Sequence, residues 1–376
     1  MAGIYLHIPF CKQACYYCDF HFSTSLKKKD EMLIAIKREL LLRKNEFGGE
    51  KIETIYVGGG TPSLLTAKEL ESIFFVIYDN YKVVNNAEIT LEANPDDLTE
   101  QKIKELAKLP VNRLSIGIQS FFNDDLKFMN RAHTAEESKK CLTVALQYFD
   151  NITIDLIYGV PNMNTEKWLE NLKLAFKFGV PHISSYALTV EEKTALYNFI
   201  KKGKVLPLDE NLALEHFNLL VTEAEKNEFV QYEISNFGKQ NYFSKHNTSY
   251  WLGCNYLGIG PSAHSFNGIE RYWNVSNNTK YIKALVADKL PNEVETLSVN
   301  NLFNEYIMTG LRTIWGVSYQ KIRKDFGEIY LQQLKKNAQP FIKRGLLELT
   351  NNTLITTKKG KFLVDGIASD LFKINS

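Results

Sequence analysis

The amino-acid sequence predicts an α/β protein, a partial (β/α)6, TIM-like barrel followed by a C-terminal helical, winged-helix-like module. Three observations carry this. Between residue 4 and about 190, short β-branched runs alternate six times with amphipathic helical stretches, and near-continuous apolar strands of that kind form a parallel sheet with helices over its outer face. Polar residues collect at the C-terminal end of nearly every predicted strand, where the loops of a barrel converge on one mouth. Beyond about 210 the alternation stops, and the tail from 298 reads as helices followed by a hairpin.

The first strand is IYLHIP at 4–9, and a helix over 28–45 follows, with Met32, Leu33, Ile36 and Leu40 at helical spacing. TIYVGGG at 54–60 leads to a helix from Ala67, EITLEANP at 88–95 to one from Glu100, and the strand at 113–122 to a short helix over 124–129. A helix over 135–148 precedes ITIDLIYGVP at 152–161, and one from Glu166 precedes HISSYALTV at 182–190. After a helix over 210–226 come YEISNF and an irregular, aromatic and Gly-rich segment over 239–273. In the tail, helices over 299–311 and 329–344 precede GLLELTNNTLITTKKG, two short strands around an Asn-Asn turn, and a final helix from Lys361. The expected division is a barrel over 1–230, an irregular connecting segment over 231–297 and the tail module over 298–376.

A chain of 376 residues is long enough for a large α/β unit with an appended domain. With 45 basic and 43 acidic side chains it has no global field directing it to nucleic acid or an anionic membrane. The tail carries mixed charge and no Arg-rich recognition helix, so no nucleic-acid partner is expected. No signal-peptide pattern and no apolar run of transmembrane length occurs, which leaves only peripheral membrane contact. Five cysteines, an odd number with three in one loop, are not a disulfide framework and fit a reducing, cytoplasmic setting.

Those three are Cys11, Cys15 and Cys18, a CxxxCxxC run directly after the first strand, with Phe10, Tyr16, Tyr17, Phe20 and Phe22 around them. Thiolates so close together bind soft metals, either zinc or an iron–sulfur cluster. A structural zinc site takes four ligands, usually as two pairs, whereas Cys141 and Cys254 are isolated and read as small core residues. A 4Fe–4S cluster on three cysteines leaves one iron open to an exchangeable ligand. GGGTP at 58–62 follows the second strand, where glycine lets a ligand approach the backbone. GIGPSA at 258–263 has the look of a dinucleotide loop but lacks the strand–helix unit that would support it.

CxxxCxxC on the loop after the first barrel strand resembles the signature of the radical S-adenosylmethionine (SAM) superfamily. The resemblance implies that the open iron chelates the amino and carboxylate groups of SAM, that an electron from the cluster cleaves its sulfonium, and that an electron donor is a partner. HIPFCxxxCxxC, GGGTP, EANPDDLT, SIGIQSF, NRAHT and DLIYGVP, in this order, resemble the branch that contains oxygen-independent coproporphyrinogen dehydrogenase and the haem chaperone HemW group, and the likeness runs through to the tail. It implies SAM contacts at Tyr5, Tyr17, Gly59, Gly60, Thr61, Glu92, Gln119, Arg131, Asp155 and Ala187. Carboxylates there suit ribose hydroxyls or an ammonium, and Arg131 suits a carboxylate.

The dehydrogenase has a fourth cysteine two residues after the third and a sizeable N-terminal extension. Here Phe20 stands at that position and Cys11 lies close to the N-terminus, and both features resemble the chaperone group. KHNTSYW at 245–251 resembles the HNxxYW motif associated with haem in that group, which implies His246, Asn247, Tyr250 and Trp251 at a haem with an imidazole ligand. His7 and His264 are competing ligands. The implied function is a cytoplasmic chaperone that receives haem and hands it to acceptor haemoproteins. The alternatives are oxidative decarboxylation of coproporphyrinogen III to protoporphyrinogen IX and a structural zinc protein.

Overall fold

Side chains alternate faces along a strand, and here the alternation separates an apolar outer face from a polar inner one. In the computed structural model, which describes residues 2–374, β1 (Ala2–Ile8), β2 (Ile52–Gly59), β3 (Val83–Ala93), β4 (Arg113–Gln119), β5 (Ile152–Tyr158) and β6 (His182–Ala187) are parallel neighbours in sequence order. Ile4, Leu6 and Ile8, Ile55 and Val57, Ile89 and Leu91, Leu114 and Ile116, and Ile154 and Leu156 are buried on one face. Across that face pack α1 (Lys29–Leu42), α2 (Ala67–Asn80), α3 (Glu100–Leu106), α4 (Asn123–Phe128), α5 (Ala135–Ala145) and α6 (Thr165–Phe178), in one continuous core. Thr66 with Glu69 and Thr134 with Glu137 form capping boxes on α2 and α5, satisfying amides that a helix start leaves unpaired. The opposite parity, with Tyr5, Thr54, Tyr56, Glu88, Glu92, Arg113, Ser115, Asp155 and Ser184, faces inward. The six expected strand–helix units of the partial barrel are present.

The sheet continues past both ends of that run. After α7 (Ala195–Lys201) and α8 (Glu210–Lys226), β7 (Val230–Glu233) and β8 (Asn236–Gly238) form a hairpin whose β8 lies antiparallel to β6. Next come α9 (Lys245–Trp251) and β9 (Asn255–Ile259), which pairs parallel with β1 as a seventh parallel strand. β10 (His264–Phe266), β11 (Glu270–Asn274), α10 (Asn278–Val286) and β12 (Asn292–Thr296) complete a 12-stranded sheet. The segment over 231–297 is therefore not irregular, as its composition led us to expect. Gly258 and Gly260 serve close packing instead: a Cβ on Gly258 in β9 would collide with the backbone of His264, and one on Gly260 with that of His7.

The tail builds its own core around Phe303, Ile307, Leu331, Leu334 and Leu354. Its elements are α11 (Val299–Leu311), β13 (Val317–Ser318), α12 (Tyr319–Phe326), α13 (Glu328–Lys343), β14 (Leu347–Thr350), β15 (Thr353–Thr356) and α14 (Val364–Asp370). Asn351 and Asn352, at φ 51° and 61°, turn β14 into β15, as left-handed residues do in tight hairpins. The module meets the barrel through Arg312, whose Nη2 lies 3.0 Å from Glu233 Oε1 and whose guanidinium lies 5.3 Å from the Trp251 ring centroid. Among the described residues no helix is long and apolar enough to cross a membrane.

Candidate cluster site and adjoining cavity

β1 delivers the chain to the barrel mouth and the cysteine loop closes on itself there: Ser23 N donates to Pro9 O at 2.9 Å and Cys11 N to Ser23 O at 3.1 Å. The loop is also pinned from below. Lys12 pairs with Asp96 at 2.8 Å and with Asp97, Asn130 Nδ2 donates to Ala14 O at 2.8 Å, and Tyr16 N donates to Met129 O at 3.1 Å. Cys11, Cys15 and Cys18 are free thiols, partly exposed, and all three line one cavity of about 460 Å³. Burial pushes the Cys11 thiol up and the Cys18 thiol up to about 12, with the charge of neighbouring cysteines adding to both. At Cys11 and Cys18 the free thiolate is disfavoured, and cationic iron removes that penalty. Among the described residues no three His, Cys, Asp or Glu side chains converge on a single metal position. Three thiols of one loop around one cavity are a donor set that a 4Fe–4S cluster takes, one thiol to each of three irons.

The second-strand loop forms the facing wall. Gly59 adopts φ +108°, and Gly60 N donates to Ile8 O at 2.9 Å. A Cβ on Gly60 would sit 2.6 Å from Phe10 O, so the GGG turn presses against the cysteine loop with no room for a side chain. Glu92 accepts from Tyr56 Oη at 2.8 Å and from Gly59 N at 3.2 Å. Burial, and then the charge of Asp155, raise its pKa to about 7, and burial raises that of Asp155 to about 6. Arg131 donates from Nη2 to Asn94 Oδ1 at 2.7 Å and to Gly117 O at 2.9 Å, and its Nη1 stands 3.4 Å from Cys15 Sγ and 3.5 Å from Tyr17 Oη. Gln119 holds φ +64° where the pairing of β4 with β5 shifts register, an unusual backbone for a non-glycine residue, and its side chain lines the cavity.

All the expected SAM contacts except Tyr5 line the cysteine cavity, Thr61 and Ala187 included, and Tyr5 stands one wall away. Two further residues there belong to no motif. Tyr56 holds Glu92, and Arg113 is 1% exposed with no partner for its Nε, facing Glu92 and Asp155 from the cavity floor. Their inward strand parity, shared with Thr54 and with Ser115, was the available signal.

KHNTSYW is the helix α9 rather than a loop, and it lies against β1, β2 and β9. Ser244 Oγ caps it, and the Glu88 carboxylate accepts from the Lys245 and His246 amides at 3.0 Å each. His246 is 1% exposed, with Nδ1 2.7 Å from Thr54 Oγ1, Nε2 2.7 Å from Tyr250 Oη, and its ring stacked on Tyr56 at 5.1 Å. Burial lowers its pKa to about 3, so the ring is neutral. Asn247 faces the cysteine cavity, Tyr250 faces a second cavity of about 440 Å³, and Trp251 packs against Arg312. The four residues expected at haem thus do not share one pocket. The second cavity is walled by Tyr5, His7, His21, Tyr250, Tyr256 and His264, and it shares Asp19, Phe20, Gly59 and Glu92 with the first.

Residues 5–175 match the radical SAM superfamily, and residues 297–363 match the HemN C-terminal domain. The chain is 32% identical over 368 residues to a protein of Bacillus subtilis named heme chaperone HemW, covering 96% of this chain and 97% of that one. This chain belongs to the HemW family. A Lactococcus lactis HemW is 34% identical over 375 residues, covering 96% of this chain and 97% of its own. In fold, the HemW-family chain matches coproporphyrinogen III oxidase (HemN) from Escherichia coli with a TM-score of 0.85 at 21% identity, over 99% of this chain and 90% of that one. Membership of the radical SAM superfamily implies a 4Fe–4S cluster with SAM. The donor set fits both: three free thiols for iron, and Glu92, Asp155 and Arg131 around one cavity for a ligand with ammonium, hydroxyl and carboxylate groups.

Proposed function

We propose that this HemW-family protein is a haem chaperone, which holds haem beside a SAM-liganded 4Fe–4S cluster and passes it to acceptor haemoproteins. The observation that carries the reading is identity of 30–34%, over nearly the whole chain, to proteins named heme chaperone HemW. Two features of the site support it. A cavity walled by tyrosines and histidines adjoins the cysteine cavity, and Phe20, 68% exposed, stands on their shared rim where the dehydrogenase carries a further cysteine.

In this reading Cys11, Cys15 and Cys18 hold the cluster, Glu92 and Asp155 take an ammonium or ribose hydroxyls, and Arg131 takes a carboxylate. Gly59, Gly60 and Thr61 bring the backbone close to the ligand, with Tyr17, Gln119 and Ala187 completing the wall. When bound, the cluster supplies one-electron reduction of SAM, for which the protein needs an electron donor. A cytoplasmic location suits the thiols of the cysteine loop.

Anaerobic reconstitution with iron and sulfide, followed by haem titration and an activity assay on one sample, tests the reading. We expect about four irons and four sulfides per chain, saturable haem binding, transfer of that haem to an added apo-haemoprotein, and no protoporphyrinogen from coproporphyrinogen III with SAM and reductant. Turnover of coproporphyrinogen without saturable haem binding would establish the dehydrogenase reading instead, and zinc in place of iron would overturn both.

A further inference from the structure

Three histidines line the second cavity, and their ring nitrogens differ in what they already hold. His7 is buried, with Nε2 2.8 Å from His21 O and Nδ1 3.2 Å from Tyr5 Oη. His21 donates from Nε2 to Asn278 Oδ1 at 2.7 Å, which leaves its Nδ1 as the one nitrogen of that ring without a partner among the described residues. His246, behind the Tyr250 wall, has both nitrogens engaged by Thr54 and Tyr250. His264 alone has neither nitrogen engaged among the described residues, and its ring is stacked on Trp273 at 6.0 Å and 29°. It stands on β10, where it pairs with Trp273 of β11, so a strand and an indole orient it. The residue is exposed, while partial desolvation and the nearby Arg271 lower its pKa and leave a neutral imidazole near pH 7.

The rest of the cavity suits a flat aromatic macrocycle with a metal at its centre. Tyr5, Tyr250, Tyr256 and Phe20 contribute rings to its wall, Tyr250 and Tyr256 meeting edge to face at 4.4 Å. A volume of about 440 Å³ falls within the range of cofactor pockets. We propose, resting on the haem-binding reading above, that His264 supplies the axial imidazole to haem iron in this second cavity. His246 is then a positioning residue that acts through Tyr250: its 2.7 Å bond to Tyr250 Oη holds that wall in place. A neutral imidazole already committed at both nitrogens has no lone pair for iron, whereas His264 needs no rearrangement to offer one.

The test is haem titration of the reconstituted full chain as wild type, His264→Gly, His264→Met and His246→Ala. It is followed by absorption and by ferric-haem electron paramagnetic resonance, to which an oxidised 4Fe–4S cluster is silent. We expect His264→Gly to weaken haem binding and lose the imidazole-ligated signature, and millimolar imidazole to restore that signature by entering the vacated space. His264→Met should replace it with a thioether-ligated signature. His246→Ala should lower the melting temperature and weaken binding while the haem that binds keeps the wild-type signature, with no rescue by imidazole. An unchanged signature in both His264 variants would overturn the proposal, and loss of the imidazole signature in His246→Ala alone would move ligation to His246. Absence of haem binding in the wild type would instead remove the chaperone reading on which the proposal stands.

Discussion

Glu92 sits on the wall common to both cavities, and its two hydrogen bonds, from Tyr56 and Gly59, do not offset what burial costs its charged form. Its pKa of about 7 in the folded chain lies above the ordinary carboxylate range of the unfolded chain. Within that interval the unfolded state holds fewer protons, so the contribution to stability is present at the acid end and lost as pH rises toward about 7. The neutral buried rings of His7 and His246, lowered to about 4 and 3, act in the opposite sense and lose stability on acidification below the ordinary histidine pKa. We therefore predict that Glu92→Gln gains stability over the wild type, read as a rising difference in melting temperature, as pH rises from about 5 to about 7.5, by at most on the order of 3 kcal/mol, and levels off above. A difference independent of pH would place the titration elsewhere. The motif register singled out Glu92, Asp155 and Arg131 from the sequence. Arg113 and Tyr56 were not singled out, because strand parity turns them inward but does not say which side chains lie across the barrel from them.

At the scale of elements, the join between the β2 turn and the cysteine loop is the tightest feature of the site. A Cβ at Gly60 would meet Phe10 O at 2.6 Å and Ile8 O at 2.9 Å, both backbone atoms that no rotamer change can move. Gly60→Ala is expected to cost about 1–3 kcal/mol by overpacking and to reduce iron incorporation on reconstitution; wild-type iron content with an unshifted melting temperature would show that the loop yields freely. The GGGTP and CxxxCxxC runs were legible because both are short and bear unusual residue types. The helix α9 was not: seven residues are too few for a helical period, and what fixes them is the distant Glu88 carboxylate that accepts from their first amides. β9 was missed for a related reason, since Gly258 and Gly260 imitate a loop while permitting close contact with β10 and β1.

On the scale of the molecule, Arg312 joins the tail to the barrel by pairing with Glu233, which is 2% exposed, and by lying over Trp251. Arg312→Met leaves that buried carboxylate without its cation, a loss of about 3 kcal/mol or more. The expected result is a thermal profile that separates into two transitions, and a single transition at the wild-type temperature would show that the modules are held by other contacts. The six strand–helix units, the two cores, the Asn-Asn hairpin and the three-cysteine loop follow from patterns a few residues long, where periodicity, turn chemistry and ligand spacing act within one element. Packing across the chain settles the rest: β9 beside β1, α9 against the inner face, two cavities with a common wall, and His246 committed where His264 has no hydrogen-bond partner among the described residues. Two histidines are the same residue along the chain, and folding buries one with both ring nitrogens engaged by Thr54 and Tyr250 while it leaves the other exposed with neither nitrogen engaged among the described residues.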